Sequence, residues 1–489
     1  LDFALSVSPT GKVETIYENL IEDETRYARM PDYINSHNVK FSIPNVEPGY
    51  IVAYQVTRKY KKGSEDLPFV KDVVFEGTVP SLNQFVTIWG NDSWNYRIIN
   101  KGKFKKTVKD GKTTFFYTFP KEYTDTRLVS PYGRFAPRIL FYAGNDPKVF
   151  SDQFNKVIND RNEADFEAFV KKIDFENNDP EYMIKRVFRF LQNSYTYIPV
   201  GPGQYKYAPR PMETLLKKGE FSAYEKTILA QAILSYLKVP TSVILASHVY
   251  AKVDEKEKFN FRRYTTPILK TASSKTPYIY FGNILQPFGI IPELSYGHRY
   301  FDITNNSFGT LPPLEQAEYE FSNTIELTGN IGENGELEGT LKFSSSMLQD
   351  QDLRAIRYRK DEEIAIIFQN IINSHISGAS MKGLDIQNYE GDDEKVTVKI
   401  DFTAPGFANI AGENILFNIP LISFNGYDVG NDKRDLPVYL GAKDYTKYMI
   451  NITLPEGYVV TYTPKDIKFC NKNLSIISNT EVNGSEISI

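Results

Sequence analysis

The sequence predicts a multidomain α+β protein, on three observations. Its 489 residues are roughly three times a domain of about 150. Short aromatic and β-branched runs fill both ends of the chain, whereas helical periodicity is concentrated in the middle. There the helices come first and the strands after, which is the α+β order and not the alternation of a parallel sheet. The expected division is a β-sandwich-like unit over 1–150, an α+β unit over 151–315 and a β-rich unit over 316–489.

In the first unit, Phe41-Ser42-Ile43, Tyr50 to Thr57, Phe85 to Ile88 and Thr113 to Phe119 read as strands. Asp110-Gly111 between two such runs is a hairpin signal, since both residues accept the positive φ of a tight turn. Helical spacing begins with Phe150, Phe154, Val157 and Ile158. A clearer helix follows Asp179-Pro180-Glu181: Asp179 caps, Pro180 suits the first turn, and Ile184, Val187, Phe188 and Leu191 share a face. A second helix covers about Ala223 to Leu237 and stops at Lys238-Val239-Pro240. Ser242–Val253, Tyr278–Leu285 and Arg299–Thr304 are then expected strands. In the last unit, Thr324–Thr328 and Glu336–Phe343 flank the turn Gly332 to Gly335, and Val396, Val398, Ile400 and Phe402 alternate with polar residues. One helix carries the apolar stripe Ile364, Ile367, Phe368, Ile371 and Ile372.

Composition narrows the chemistry. Lys plus Arg (57) against Asp plus Glu (61) gives a formal charge of -4, leaving no surplus for nucleic acid. Apolar residues at 41% and aromatics at 14% supply material for buried cores. The single cysteine, Cys470, forbids an intramolecular disulfide, and with His37, His248, His298 and His375 it is too little for a Cys/His zinc cluster. No metal and no cofactor are expected, and no apolar run reaches the about 18 residues of a membrane helix. The chain begins Leu1-Asp2 without a methionine and reads as a processed or trimmed product.

The most informative stretch runs from Tyr195-Thr196-Tyr197 through Gly201-Pro202-Gly203, Tyr205, Tyr207 and Pro209-Arg210-Pro211 to Phe221-Ser222-Ala223, and then into the helix ending Leu237-Lys238-Val239-Pro240. It resembles the transglutaminase-like, papain-like domain of a bacterial multidomain family, in which a Gly-Asp-Cys turn opens a helix ending Leu-Gly-Ile-Pro. Phe41 to Tyr54 is similar to the leading β domain of unknown function in those proteins, and Leu454-Pro455-Glu456-Gly457-Tyr458 to their closing β domain. The resemblance implies a cysteine at the helix N-terminus, whose thiolate the helix favours, a histidine that takes its proton and an aspartate that orients the histidine. Carried onto this chain, the cysteine position is Ala223, with Phe221-Ser222 in place of Gly-Asp. The histidine position is Asn283, in Phe281-Gly282-Asn283-Ile284-Leu285, and the aspartate is Asp302, in Tyr300-Phe301-Asp302-Ile303-Thr304. Cys470 lies 470 − 223 = 247 residues downstream, so no shift of register puts a thiol on this helix.

Each of these residues also has a plainer reading. Asp302 also reads as a capping or turn residue before Asn305-Asn306, and Ser222 as a substitute nucleophile lacking an evident base. His298 sits four residues from Asp302, about 13 Å along a strand and beyond hydrogen-bond reach. His248 reads as structural, and Gly201-Pro202-Gly203 as a loop former, because proline has no N–H for an anion. Tyr195, Tyr197, Tyr205 and Tyr207 suit a cleft for an extended peptide or protein segment, or packing between domains. The expectation is a non-catalytic member of the family that binds or scaffolds in the bacterial periplasm or envelope. The alternative is an active cysteine protease or acyl transferase seen as an inactive variant.

Overall fold

The computed structural model describes residues 1–27, 30–33, 37–57, 69–75, 80–89, 94–100, 102–119, 136–143, 146–202, 208–247, 259–314, 322–347, 350–421, 435–436, 445–471 and 474–489. Helices and strands are mixed, with several separate sheets and few helices.

Two three-stranded antiparallel sheets share one aromatic core near the N-terminal end. One has the order β1 (Ser81–Trp89), β3 (Lys112–Phe119), β2 (Lys105–Lys109); the other is built from Phe69–Val74, Arg138–Ala143 and Asn95–Ile99. Phe75, Phe115, Tyr117, Ile139 and Phe141 are buried between them. Lys109 pairs with Lys112 across Asp110-Gly111, both at positive φ (50° and 69°), as the sequence predicts for a two-residue hairpin. Of Phe41-Ser42-Ile43 only Phe41 is in a strand, His37–Phe41, which pairs with Ile21–Thr25.

Five helices follow: α1 (Pro147–Asn159), α2 (Glu163–Val170), α3 (Pro180–Asn193), α4 (Met212–Lys217) and α5 (Ala223–Tyr236). Asp146, Asn162 and Asp179 each cap the next helix by accepting a first-turn N–H, the Tyr182 N–H at 2.8 Å in the case of Asp179. Helix α5 has no polar face; its residues from Ala223 to Leu234 are all buried. It ends in a Schellman turn, with Val239 N–H on Leu234 O (2.8 Å) and Lys238 N–H on Ser235 O (3.1 Å), and Lys238 takes the left-handed φ of 64°.

Helix α5 lies on an antiparallel sheet of order β6 (Tyr278–Ile279), β5 (Tyr264–Thr271), β4 (Thr241–Ser247), β7 (Arg299–Asp302), β8 (Ser307–Thr310). Alternation sorts its side chains into two layers. Val243, Leu245, Leu269 and Phe301 join Ile228, Leu229 and Ile233 of α5 in one core, whereas Ile244, Ala246, Ile268 and Tyr300 pack with Ile291 and Leu311 on the other face. The expected strand Tyr278–Leu285 is cut to Tyr278–Ile279: beyond it Asn283 forms a turn, its Oδ1 accepting the Leu285 N–H at 2.8 Å.

The last part of the chain forms a seven-stranded sheet. Its order is β11 (Ser380–Gln387), β12 (Thr397–Ala404), β10 (Leu337–Ser344), β9 (Ser322–Ile331), β13 (Tyr445–Thr453), β15 (Glu486–Ser488), β14 (Glu481–Asn483). Only the β9–β13 pair is parallel among the described ladders of this sheet. Val396, Val398, Ile400 and Phe402 are buried as their alternation predicts. The turn from β9 to β10 needs Gly335: φ is 80°, and a Cβ there would stand 2.3 Å from Ala408 O. After the short helix α6 (Asp350–Arg354), helix α7 (Asp361–His375) buries Phe368 and Ile372, but Ile367 of the expected stripe is 36% exposed. The buried Arg354 donates to the carbonyls of Asn388, Gly391 and Glu394 and so shapes the following loop. That loop reaches α3, where Arg189 makes a two-pronged pair with Asp392 and Lys185 pairs with Asp393.

Candidate functional site

The helix at whose start the family resemblance implies a cysteine begins here at Ala223, 8% exposed, with Ser222 as its cap. The Glu225 N–H donates to Ser222 Oγ (3.3 Å) and the Ser222 N–H donates to Glu225 Oε2 (3.0 Å), a reciprocal capping box. The pattern Ser222-x-x-Glu225 carries that signal, which the sequence reading above passes over.

Glu225 is buried and would be costly as an isolated carboxylate. Arg210 resolves this with a planar fork, Nε to Oε1 at 2.7 Å and Nη2 to Oε2 at 2.9 Å. Arg210 also donates to Glu220 O (2.7 Å) and pairs with Asp32, which Lys218 reaches at 3.1 Å. Burial pulls the guanidinium toward neutrality, yet hydrogen bonding and attraction to Glu225 outweigh it and hold the group above its ordinary range. Tyr33 completes the cluster, its hydroxyl donating to Glu225 Oε1 at 3.3 Å. Burial, and then the Glu225 charge, push that phenol up. Tyr33 sits in a small apolar cluster with Ile198 and Val200. A segment from the first fifth of the chain is thus fastened over the start of α5.

Lys226 is the second feature hidden from sequence reasoning. One turn into α5 it has no exposed surface, and its ammonium donates to Gln192 Oε1 (2.9 Å) and Tyr195 O (3.4 Å). Neither partner is a carboxylate, and burial lowers its pKa to about 8. Gln192 Nε2 in turn donates to Asn283 O at 2.8 Å, so α5, α3 and the Asn283 turn are tied together.

Among the described residues no hydrogen bond joins the three carried-over triad positions. Asp302 pairs with Ile244 in the sheet and shares its face, the face turned away from α5. Its oxygens accept from Ser242 Oγ (2.9 Å), the Asn305 N–H (3.0 Å) and Asn305 Nδ2 (3.0 Å), the capping arrangement of the plainer reading. The Asn283 amide donates to Gln351 Oε1 at 2.6 Å, not to Asp302. Tyr195 packs within the core against Phe169, Phe190 and Phe221, with ring centroids 5.9, 5.5 and 4.8 Å away. Tyr197 is half-buried. Tyr205 and Tyr207 lie outside the described residues, as does His248. Cys470 is exposed in a C-terminal hairpin, its Sγ 3.0 Å from Ser475 Oγ.

Similarity to solved structures is fold-wide. The chain matches the crystal structure of a putative protease from Parabacteroides distasonis at a TM-score of 0.61 and 11% identity, over 99% of this chain and 81% of that one. At this identity the likeness is one of fold. A second match, a putative cysteine protease from Cytophaga hutchinsonii at 11% identity, covers 44% of this chain and 78% of that one, but its TM-score of 0.20 carries no weight. No family model and no curated protein matches the sequence. Among the described residues, no helix is long and apolar enough to cross a membrane.

Proposed function

We propose that the chain is a protease-fold protein that has lost thiol catalysis and acts by holding a peptide or protein segment, or as a scaffold, in the bacterial envelope. The reading retains the three units divided near 150 and 315, with the central unit as the seat of binding. The observation that carries it is the start of α5. The position a nucleophile would occupy bears a methyl group, which has neither a lone pair nor an acidic proton. The residues around it serve structure instead, with Ser222 and Glu225 capping the helix and Arg210, Asp32 and Tyr33 neutralising and covering the cap. Asn283 and Asp302, the other two carried-over positions, are engaged with different partners.

Ala223→Cys separates this reading from that of an enzyme seen in an inactivated form. No imidazole is among the described hydrogen-bond partners of Ser222, Ala223, Asn283 or Asp302, so a restored thiol should give no turnover of casein or of a glutaminyl peptide with an amine donor. Turnover on restoring that one sulfur would overturn the reading and show that the rest of a catalytic apparatus is in place.

A further inference from the structure

The chain is acidic overall, yet residues 101–112 hold six lysines (Lys101, Lys103, Lys105, Lys106, Lys109 and Lys112) and a single acid, Asp110. The strand registers show where three of them go. On the outer face of the β1–β3–β2 sheet, three rows are in register: Trp89 beside Lys112 and Lys109, Thr87 beside Thr114 and Thr107, and Phe85 beside Phe116 and Lys105. The opposite face, with Phe115, Tyr117, Val86 and Ile88, is the aromatic core. Phe85 and Trp89 are nonetheless 67% and 68% exposed, and all three lysines are exposed. Lys112 Nζ stands 5.7 Å from the Trp89 ring centroid. No acidic residue occupies any of these nine positions.

From this face we infer a docking surface for an anionic lipid bilayer. Charge complementarity sets the sign: among the nine in-register positions the ammonium groups meet no acid, so this face of an acidic protein attracts a negative surface. The rings set the kind of surface. Trp and Phe partition to the boundary between headgroups and acyl chains, and lysine stems lie along apolar surface while their heads reach phosphate. An acidic polysaccharide would meet the same charges, but the in-register positions hold no amide or carboxylate to fork onto sugar hydroxyls, and the Thr87 and Thr114 hydroxyls bond to each other at 2.9 Å. A bilayer needs neither. Envelope residence would place the face against such a surface, although the inference stands on the patch alone.

The tryptophan census makes the test direct, because the sequence has two and the other is Trp94. In Trp94→Phe, emission from Trp89 should shift to the blue and the protein should co-sediment with vesicles of phosphatidylglycerol and phosphatidylcholine. It should ignore vesicles of phosphatidylcholine alone, and binding should weaken as salt is raised. Combining Lys105→Gln, Lys109→Gln and Lys112→Gln should cut partitioning about a hundredfold, with an unchanged circular dichroism spectrum. Phe85→Ser alone should weaken sedimentation while leaving the salt dependence in place. Equal binding to neutral vesicles, no binding to anionic ones, or an unaltered partition in the triple variant would overturn the inference. So would a Trp89 shift given by polygalacturonate and not by vesicles, which would assign the face to a polysaccharide.

Discussion

Removing Arg210 tests whether the start of α5 is a structural joint. In Arg210→Ala, Glu225 keeps its two contacts with Ser222 and the Tyr33 hydroxyl but loses both charge-assisted bonds at 2.7 and 2.9 Å, while its carboxylate stays buried. Breaking a buried pair from one side costs about 3–5 kcal/mol; with Arg210 at the boundary of the core, about 3 kcal/mol is expected. Near 1.4 kcal/mol per decade, that is roughly a hundredfold rise in local opening. Native-state hydrogen exchange at the α5 amides reads this better than a global melt, because a chain of several units need not unfold in two states. Glu225→Ala should cost less, because the guanidinium keeps Asp32 and Glu220 O while the Ser222 N–H loses its acceptor. The double variant should cost less than the sum, with a coupling of roughly 1.5–3 kcal/mol. Strict additivity, or an Arg210→Ala effect below about 0.5 kcal/mol, would refute the argument, since surface substitutions alone reach that level.

Three further outcomes follow from the same contacts. Lys226 has a folded pKa lowered to about 8 against 10.5 in the unfolded chain, so between those values the unfolded state binds more protons and stability rises with pH. A pH series of unfolding midpoints should therefore show the wild type gaining on Lys226→Met from about pH 8 upward, and a flat difference would contradict the burial argument. Asp302→Ala should cost about 2–3 kcal/mol through its three lost hydrogen bonds while exchange at the start of α5 stays unchanged; a large change there would place Asp302 on the helix side of the sheet. Lys238→Gly should stabilise by up to about 1 kcal/mol in thermal melts, because a β-carbon at φ 64° is disfavoured. Destabilisation would mean that the lysine side chain makes a contact worth more than the strain.

The sequence was legible where structure is local. Asp110-Gly111, Asp179-Pro180 and the alternation from Val396 to Phe402 each encode their geometry within a few residues, and each forms as expected. Strand Tyr264–Thr271 was hidden by Pro267, which ordinarily argues against a sheet interior. It is tolerated because the short neighbour Tyr278–Ile279 reaches only Leu269 and Lys270, leaving the outer side of Pro267 unladdered. Asn283 resembled a strand residue by its apolar neighbours, but its amide bonds to its own backbone two residues on. At the site, the resemblance places Ala223 at the start of a helix, and α5 begins there. What surrounds it could not be placed, because Asp32 and Tyr33 meet Arg210 and Glu225 across more than 170 residues, and no local pattern records such a pairing. The same holds for Lys226, whose burial depends on all sides of α5 being covered.

The central claim, loss of thiol chemistry, is tested most directly by incubating the unmodified protein and its Cys470→Ser variant with labelled casein and with a glutaminyl peptide plus an amine donor. The account predicts no product from either, with iodoacetamide marking the unmodified protein at the exposed Cys470 alone. Steady product formation that persists in Cys470→Ser and disappears in a still-folded Ser222→Ala variant would contradict it.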